Sequence, residues 1–283
     1  MPGMLYLVPT PIGNLQDISP RMRQALEDAD FIGAEDTRVT LKLLNHLGIK
    51  KPLLSYYDHN RAEAGQKILA RLLEGQTCAL VSDAGTPAIS DPGEDMVALC
   101  VAHGIPVSAI PGPCAAVTAL CMSGLPTGRF TFEGFLTVNR KNRREHLAAL
   151  KQEQRTMIFY EAPHKLRNTL QDLADIFGPT RRIALCREMT KLHEEVLRMT
   201  LSQACDYYAS QDPRGEYVLI VEGAALPAAP AYTEEDALRQ VQTLLAQGHS
   251  LKEATKQVSA ALGIAKNQLY ALALQEKEKG CTV

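Results

Sequence analysis

The stretch Val81 to Gly93, VSDAGTPAISDPG, sets Ser82, Asp83, Ser90 and Asp91 among two glycines and two prolines. Gly85 and Gly93 permit backbone shapes and close approaches that a side chain would block, while Pro87 and Pro92 stiffen the loop. Carboxylates and hydroxyls held in such a loop suit a ribose diol or a charged amine. The preceding run Cys78-Ala79-Leu80-Val81 is short, apolar and bounded by turn residues, as a strand buried on both faces would be. The loop therefore lies at the carboxyl end of a strand, where open α/β sheets bind ligands. An ordinary βα turn, usually ~2 to 6 residues, would be shorter and less polar.

Four more strand exits have the same character: LVPTPIGN (Leu7 to Asn14), GAEDTR (Gly33 to Arg38), SYYDHN (Ser55 to Asn60) and IPGPCAA (Ile110 to Ala116). Polar or Gly/Pro-rich exits on one rim point to one shared site. Neither GxGxxG nor GxxxxGK[ST] occurs, which disfavours a nucleotide gripped by its phosphates. A nucleoside ligand without phosphate fits better: main-chain groups at the turns would bond an adenine edge and an amino acid zwitterion. S-adenosylmethionine is the natural candidate. No CxxC or HExxH is present and the cysteines are scattered, so a metal is not expected and the cysteines read as small apolar residues.

Repeated βα units position these exits. Leu5–Val8, Phe31–Ala34, Leu53–Tyr56, Cys78–Ser82 and Val107–Ile110 read as strands. Between them, Ser19 with Pro20 opens a helix, and the stripes Leu41/Leu44/Leu47 and Ile68/Leu69/Leu72/Leu73 end at Gly48 and Gly75. A mostly parallel sheet covered on both faces follows. Beyond a Gly/Pro hinge at Ser123–Arg129, strands are expected at Phe130–Phe135, Thr156–Tyr160, Arg182–Cys186, Val196–Thr200 and Tyr217–Glu222, with helices at about Arg143–Lys151, His164–Phe177 and Leu201–Ser210. Some of these strand pairs lack the ~12-residue crossover of parallel pairing, so the second sheet should be mixed. The fold class is thus α/β, with a first domain over 1–123, a second over 124–223, an Ala/Pro linker over 224–232 and a helical module over 233–283. In that module Thr233/Asp236 and Ser250/Glu253 have capping-box spacing, and Gly263 separates two short helices as in a helix-turn-helix.

A chain of 283 residues exceeds what one core usually serves. The stretch MPGMLYLVPTPIG lacks a basic region followed by an apolar core and no ~18-residue apolar run exists, so no secretion signal and a cytoplasmic location are expected. The net charge of −2 argues against coating nucleic acid through a large positive field, and leaves room for a local basic patch.

The quoted motifs, with DHN (Asp58 to Asn60), FEGFL (Phe132 to Leu136), FYEAPHKL (Phe159 to Leu166), REMTKLHEE (Arg187 to Glu195) and GEYVLIVEG (Gly215 to Gly223), run through nearly the whole chain. Their combination resembles the tetrapyrrole methylase superfamily, specifically its branch of small-subunit (16S) ribosomal RNA cytidine 2'-O-methyltransferases. The resemblance implies two α/β domains working as a homodimer, with S-adenosylmethionine in the cleft. It assigns cofactor contacts to Pro11, Ser82, Asp83, Ala84, Gly85, Thr86, Cys114, Ala115 and Tyr160. The implied reaction is attack of a cytidine 2'-hydroxyl on the sulfonium methyl group.

A ribose hydroxyl is a poor nucleophile when protonated, so a base or a cation favouring the alkoxide is expected. Glu35, Asp36 and Glu188 are candidates for the base, Lys191 for the cation, and Asp58 is a further option. Glu35 and Asp36 equally suit helix N-terminal capping, and Glu188 and Lys191 a surface charge cluster. RNA phosphates would meet Arg140, Lys141, Arg143 and Arg144, with Arg38 and Arg187 nearer the cleft, and Tyr56, Tyr57 or Phe135 would stack on a splayed base. Two rival readings are a small-molecule methyltransferase of the same superfamily and a helix-turn-helix regulator that uses the α/β body as a sensor.

Overall fold

The structure, a computed structural model, describes residues 2–225 and 233–279, with side chains up to residue 276. Most of the expected Ala/Pro linker and the last residues, including Cys281, fall outside the described residues. Residues 1–224 form one compact unit and the C-terminal helices form another.

The first half alternates β1 (Leu5–Leu7), α1 (Pro20–Asp28), β2 (Phe31–Ala34), α2 (Thr37–Leu47), β3 (Leu53–Ser55), α3 (Arg61–Leu73), β4 (Cys78–Val81), α4 (Glu94–Ala102), β5 (Val107–Ala109) and α5 (Ala115–Met122). All four pairings in the order β3-β2-β4-β1-β5 are parallel. β4 is buried throughout because both faces are covered. Ile68, Leu69 and Leu72 of α3 and Met96 and Cys100 of α4 pack one face, and Met22, Ala25 and Leu26 of α1 and Leu44 of α2 pack the other. This arrangement brings all five strand exits to one edge, the expected place for a site.

The second half contains β6 (Phe130–Phe135), α6 (Arg140–Ala149), β7 (Thr156–Glu161), α7 (Leu166–Phe177), β8 (Arg182–Arg187), β9 (Glu195–Thr200), α8 (Leu201–Ser210) and β10 (Tyr217–Val221). The sheet order is β6-β7-β10-β8-β9, with only β6 and β7 parallel, so the sheet is mixed as the short connections required. α6 begins three residues earlier than the apolar periodicity indicates, because the Asn139 side chain accepts from the Asn142 N–H and caps the helix there. One face of this sheet packs on α6, α7 and α8 through Leu147, Leu170, Leu173 and Ala204. The other packs on Ala116, Ala119 and Leu120 of α5, which precedes the Ser123–Arg129 segment.

The C-terminal unit contains α9 (Glu234–Ala246), α10 (Leu251–Leu262) and α11 (Lys266–Lys279). Both capping boxes form, and Gly263 ends α10 in the left-handed conformation. Ala237, Val241, Ala254, Val258, Leu262, Leu269 and Ala273 build its core. Among the described residues no helix is long and apolar enough to cross a membrane.

Candidate active site

The β1 and β4 exits are stitched together before they offer anything to a ligand. Thr10 and Gly85 exchange two main-chain hydrogen bonds of 2.8 and 3.0 Å. The Thr10 hydroxyl donates to the Ser82 carbonyl at 3.1 Å, and the Ser82 hydroxyl donates to the Gly85 carbonyl at 3.3 Å. The β2 and β4 exits are tied reciprocally: the Asp83 N–H donates to Glu35 at 3.3 Å and the Asp36 N–H to Asp83 at 3.0 Å. Thr86 donates to the Pro113 carbonyl at 2.8 Å, so the β5 exit joins the same frame.

Across from this rim the second sheet supplies the other wall. Tyr160 of β7 accepts from the Ala116 N–H at 3.1 Å, and burial pushes its phenol up to about 12. Phe135, at the end of β6, lies edge-on to Tyr160 with ring centroids 5.4 Å apart. After β8 the chain turns sharply, with Glu188 at φ 51° and Thr190 at φ 66°. The turn seats Lys191 Nζ 3.0 Å from Glu188 and 3.2 Å from Glu216. Burial lowers the Lys191 ammonium, but its bonds to the two glutamates outweigh that and hold it above the ordinary lysine value. The Lys191 bond in turn holds Glu188 below its usual range.

Between the walls lies a cavity of about 470 Å³, within the ~300–1,000 Å³ span of small-molecule sites. Its first-half lining includes Glu35, Asp83, Asp91 and Cys114. Burial raises all three carboxyls, Asp91 to about 7, with the charges of Glu35, Asp83 and Asp58 adding to its shift. No lysine, arginine or histidine lies within 4.0 Å of these three carboxylates among the described residues. A cavity with this acidic excess is matched to a ligand carrying positive charge.

Residues 4–205 match the model of the tetrapyrrole (corrin/porphyrin) methylases. The chain belongs to the tetrapyrrole methylase family. Residues 233–277 of this methylase match the RsmI C-terminal HTH domain. The methylase is 46% identical over 278 residues to ribosomal RNA small subunit methyltransferase I of Synechocystis sp., covering 98% of this chain and 100% of that protein. It is 47% identical over 277 residues to the protein of the same name from Halalkalibacterium halodurans, covering 97% and 96%. Its fold is similar to that of uroporphyrin-III C-methyltransferase from Thermus thermophilus complexed with S-adenyl homocysteine, with TM-score 0.55, 18% identity and coverage of 78% and 97%.

Within the methylase, Asp83, Ala84, Gly85, Thr86, Cys114, Ala115 and Tyr160 line the cavity, as do Glu35, Glu188 and Lys191. Pro11 does not line it; its neighbour Ile12 does. Ser82 is buried in the frame described above. Asp36 caps α2 through the Arg38 N–H and also grips the Arg38 guanidinium, which holds its carboxyl down at about 2. A carboxylate so committed is a poor base, and capping is its role. Arg187 pairs with Glu195 at 3.1 Å across β8 and β9.

The basic run of α6 divides. Arg140 and Lys141 are exposed, whereas Arg143 is buried against Asp172 at 2.8 Å and Arg144 bonds Asp172 at 2.6 Å and Asp175 at 3.0 Å. Arg143 therefore has no surface to offer a phosphate. Tyr56 is 1% exposed with its hydroxyl on Asp95, which removes it as a stacking platform. Asp91, Glu161, Met189, Glu216 and Tyr217 line the cavity without having been singled out as site residues. Asp91 is the second acid of the β4 loop, and the other four fall within the motifs FYEAPHKL, REMTKLHEE and GEYVLIVEG that carry the family resemblance.

Proposed function

We propose that the chain methylates the ribose 2'-hydroxyl of a cytidine in small-subunit ribosomal RNA, with S-adenosylmethionine as donor. The carrying observation is that the full-length likeness to ribosomal RNA small subunit methyltransferase I coincides with one cavity lined by the very strand exits that suit a nucleoside without phosphate. Glu35 and Asp83, unpaired with any cation among the described residues, fit a donor that bears a sulfonium and an ammonium. Asp83 to Thr86, Cys114, Ala115 and Tyr160 would hold it. When bound, the donor supplies a methyl group already activated by positive sulfur. The protein's task is then to align the ribose oxygen and manage its proton.

Lys191 answers to part of that task, as a cation at the cavity wall that favours an anionic oxygen. Phe135 is 56% exposed at the cavity's edge, with Tyr160 on one side and Lys165 Nζ 5.5 Å from its centroid. An exposed aromatic ring so braced is a platform for the target base. Phe135→Ala should raise the KM for RNA about tenfold, from stacking worth ~1–3 kcal/mol per base, and leave donor affinity within twofold. A matching loss of donor affinity would place the ring in the donor site instead. Asp83→Ala should weaken donor binding at least tenfold by calorimetry, as expected for a lost charge-assisted contact; unchanged affinity would remove Asp83 from the site.

A homodimer, exposed Arg38, Arg140 and Lys141 as phosphate contacts, and a cytoplasmic location beside the ribosome belong to the same proposal. The test is to incubate the protein with labelled S-adenosylmethionine and small ribosomal subunits from a strain lacking the enzyme, digest the RNA, and look for 2'-O-methylcytidine. Donor binding without transfer to RNA would favour a small-molecule acceptor.

A further inference from the structure

Six carboxylates line the cavity, and five are occupied. Glu161 accepts from Thr169 at 2.5 Å and pairs with Lys165 at 3.2 Å. Glu188 and Glu216 share Lys191, and Glu35 and Asp83 each accept a main-chain N–H from the other's exit. Asp91 has neither a cation nor a main-chain donor among the described residues; only the Ser82 side chain, whose hydroxyl donates to the Gly85 carbonyl, lies against it. The chain around it is contorted, with Ala88 at φ 68° and Ser90 at φ 65°, both in a left-handed region that side chains rarely adopt. Such conformations cost of order 1–3 kcal/mol each and cluster where a residue must be aimed.

We infer that Asp91 is the general base of the reaction, the carboxylate that takes the proton from the ribose 2'-hydroxyl. This rests on the ribose-methylation reading given above. As the oxygen–methyl bond forms and the sulfur–methyl bond breaks, the hydroxyl proton passes to Asp91, the electron pair of the broken bond returns to sulfur, and a neutral thioether leaves. Lys191 stands on the second-sheet wall, so a cation favouring the alkoxide and a base receiving its proton are supplied from separate elements.

A base must be free to accept a proton and must lose it again near working pH. Asp91 faces Glu35 from the β2 exit, Asp83 from its own loop, Asp58 from the β3 exit and Tyr160 from β7. Glu161, Glu188, Lys191 and Glu216 share the cavity. Burial and this mostly negative company put its titration near 7.

The test compares wild type with Asp91→Asn in single-turnover methylation of small ribosomal subunits at saturating donor, across pH 5.5 to 8.5. Wild type should gain about tenfold per pH unit and level off near pH 7, while the variant should be at least 100-fold slower at pH 8, pH-independent, and bind donor within threefold of wild type. A second readout needs neither ligand nor activity. Because the folded protein holds Asp91 protonated to higher pH than the unfolded chain does, ionisation progressively destabilises the wild-type fold between about pH 4 and 7. Asp91→Asn should therefore raise the Tm of the ligand-free protein at pH 8, by a margin that shrinks toward pH 5.

Wild-type activity with an equally fast Asp91→Asn would overturn the role of Asp91 alone, as would a flat wild-type profile or a Tm margin independent of pH. Wild type that binds donor and leaves RNA unmethylated would overturn the ribose reading and the base with it. If the variant does not fold, the wild-type profile decides.

Discussion

Asp172→Ala is expected to cost the protein about 3–5 kcal/mol, the loss seen when one partner of a buried ion pair is removed. Asp172 is 1% exposed and Arg143 is 6% exposed. One Asp172 oxygen takes the Arg143 guanidinium at 2.8 and 2.9 Å, and the other takes Arg144 at 2.6 Å with Arg140 at 3.7 Å. Without the carboxylate, Arg144 still has Asp175, but Arg143 keeps only long bonds of 3.4 Å to the Thr137 and Val138 carbonyls. A charge left in that position stays desolvated and uncompensated.

For a unit of this size the loss corresponds to roughly 6–20 °C in Tm, at ~2–4 °C per kcal/mol. Urea denaturation of Asp172→Ala, Arg143→Met and the pair Arg143→Met/Asp172→Leu would measure it. The double variant should recover most of the loss, because an apolar pair removes both charges together. A single-variant loss below about 1 kcal/mol would mean that the pair is solvated in solution. The network also bears on the site: Thr137 and Val138 lie two and three residues after Phe135, so the residues that pin α6 to α7 also fix the segment behind the proposed base platform.

That network shows where reading the sequence runs out. Arg140 to Arg144 form the densest basic run, and in one dimension they look like a phosphate grip. What neutralises two of them sits some thirty residues away on α7, and only tertiary structure brings it there. The fold was legible because its signals are local: buried β4 is a continuous apolar run, α1 opens on Ser19 with Pro20, and the missing crossovers force a mixed second sheet. The strand exits were legible for the same reason.

Adjacent acids were harder to separate. At the β2 exit, Asp36 turns back to cap α2 and Glu35 faces the cavity. No sequence rule sorts two neighbouring carboxylates at a strand-to-helix turn. Tyr56 is buried rather than free to stack, because a residue just past a short strand can face either way and here the Asp95 carboxylate draws its hydroxyl inward.

Lys191→Ala should lower the single-turnover rate of methyl transfer by about 10³, the scale of losing one preorganised charge-stabilising group, while donor affinity stays within threefold. The ammonium is held from three directions. Glu188 and Glu216 bond it, and its stem lies on Gly13, where a Cβ would come within 2.5 Å of Lys191 Cγ. Glu188 can take its place only because Gly215 has no side chain: at φ 77°, a Cβ there would fall 2.4 Å from Glu188 Oε1.

Gly215→Ala therefore combines a strained backbone with expulsion of Glu188, and with it the Glu188 bond to the Glu216 N–H at 3.2 Å. Lys191 would keep its charge but lose its position. Gly215→Ala should reproduce much of the Lys191→Ala defect, and the double variant should be no slower than Lys191→Ala, since both changes act through one ammonium. Additive losses would mean that Glu188 acts on the substrate directly, and a Lys191→Ala rate within threefold of wild type would leave the triad as a clasp between the first-strand exit and the second sheet.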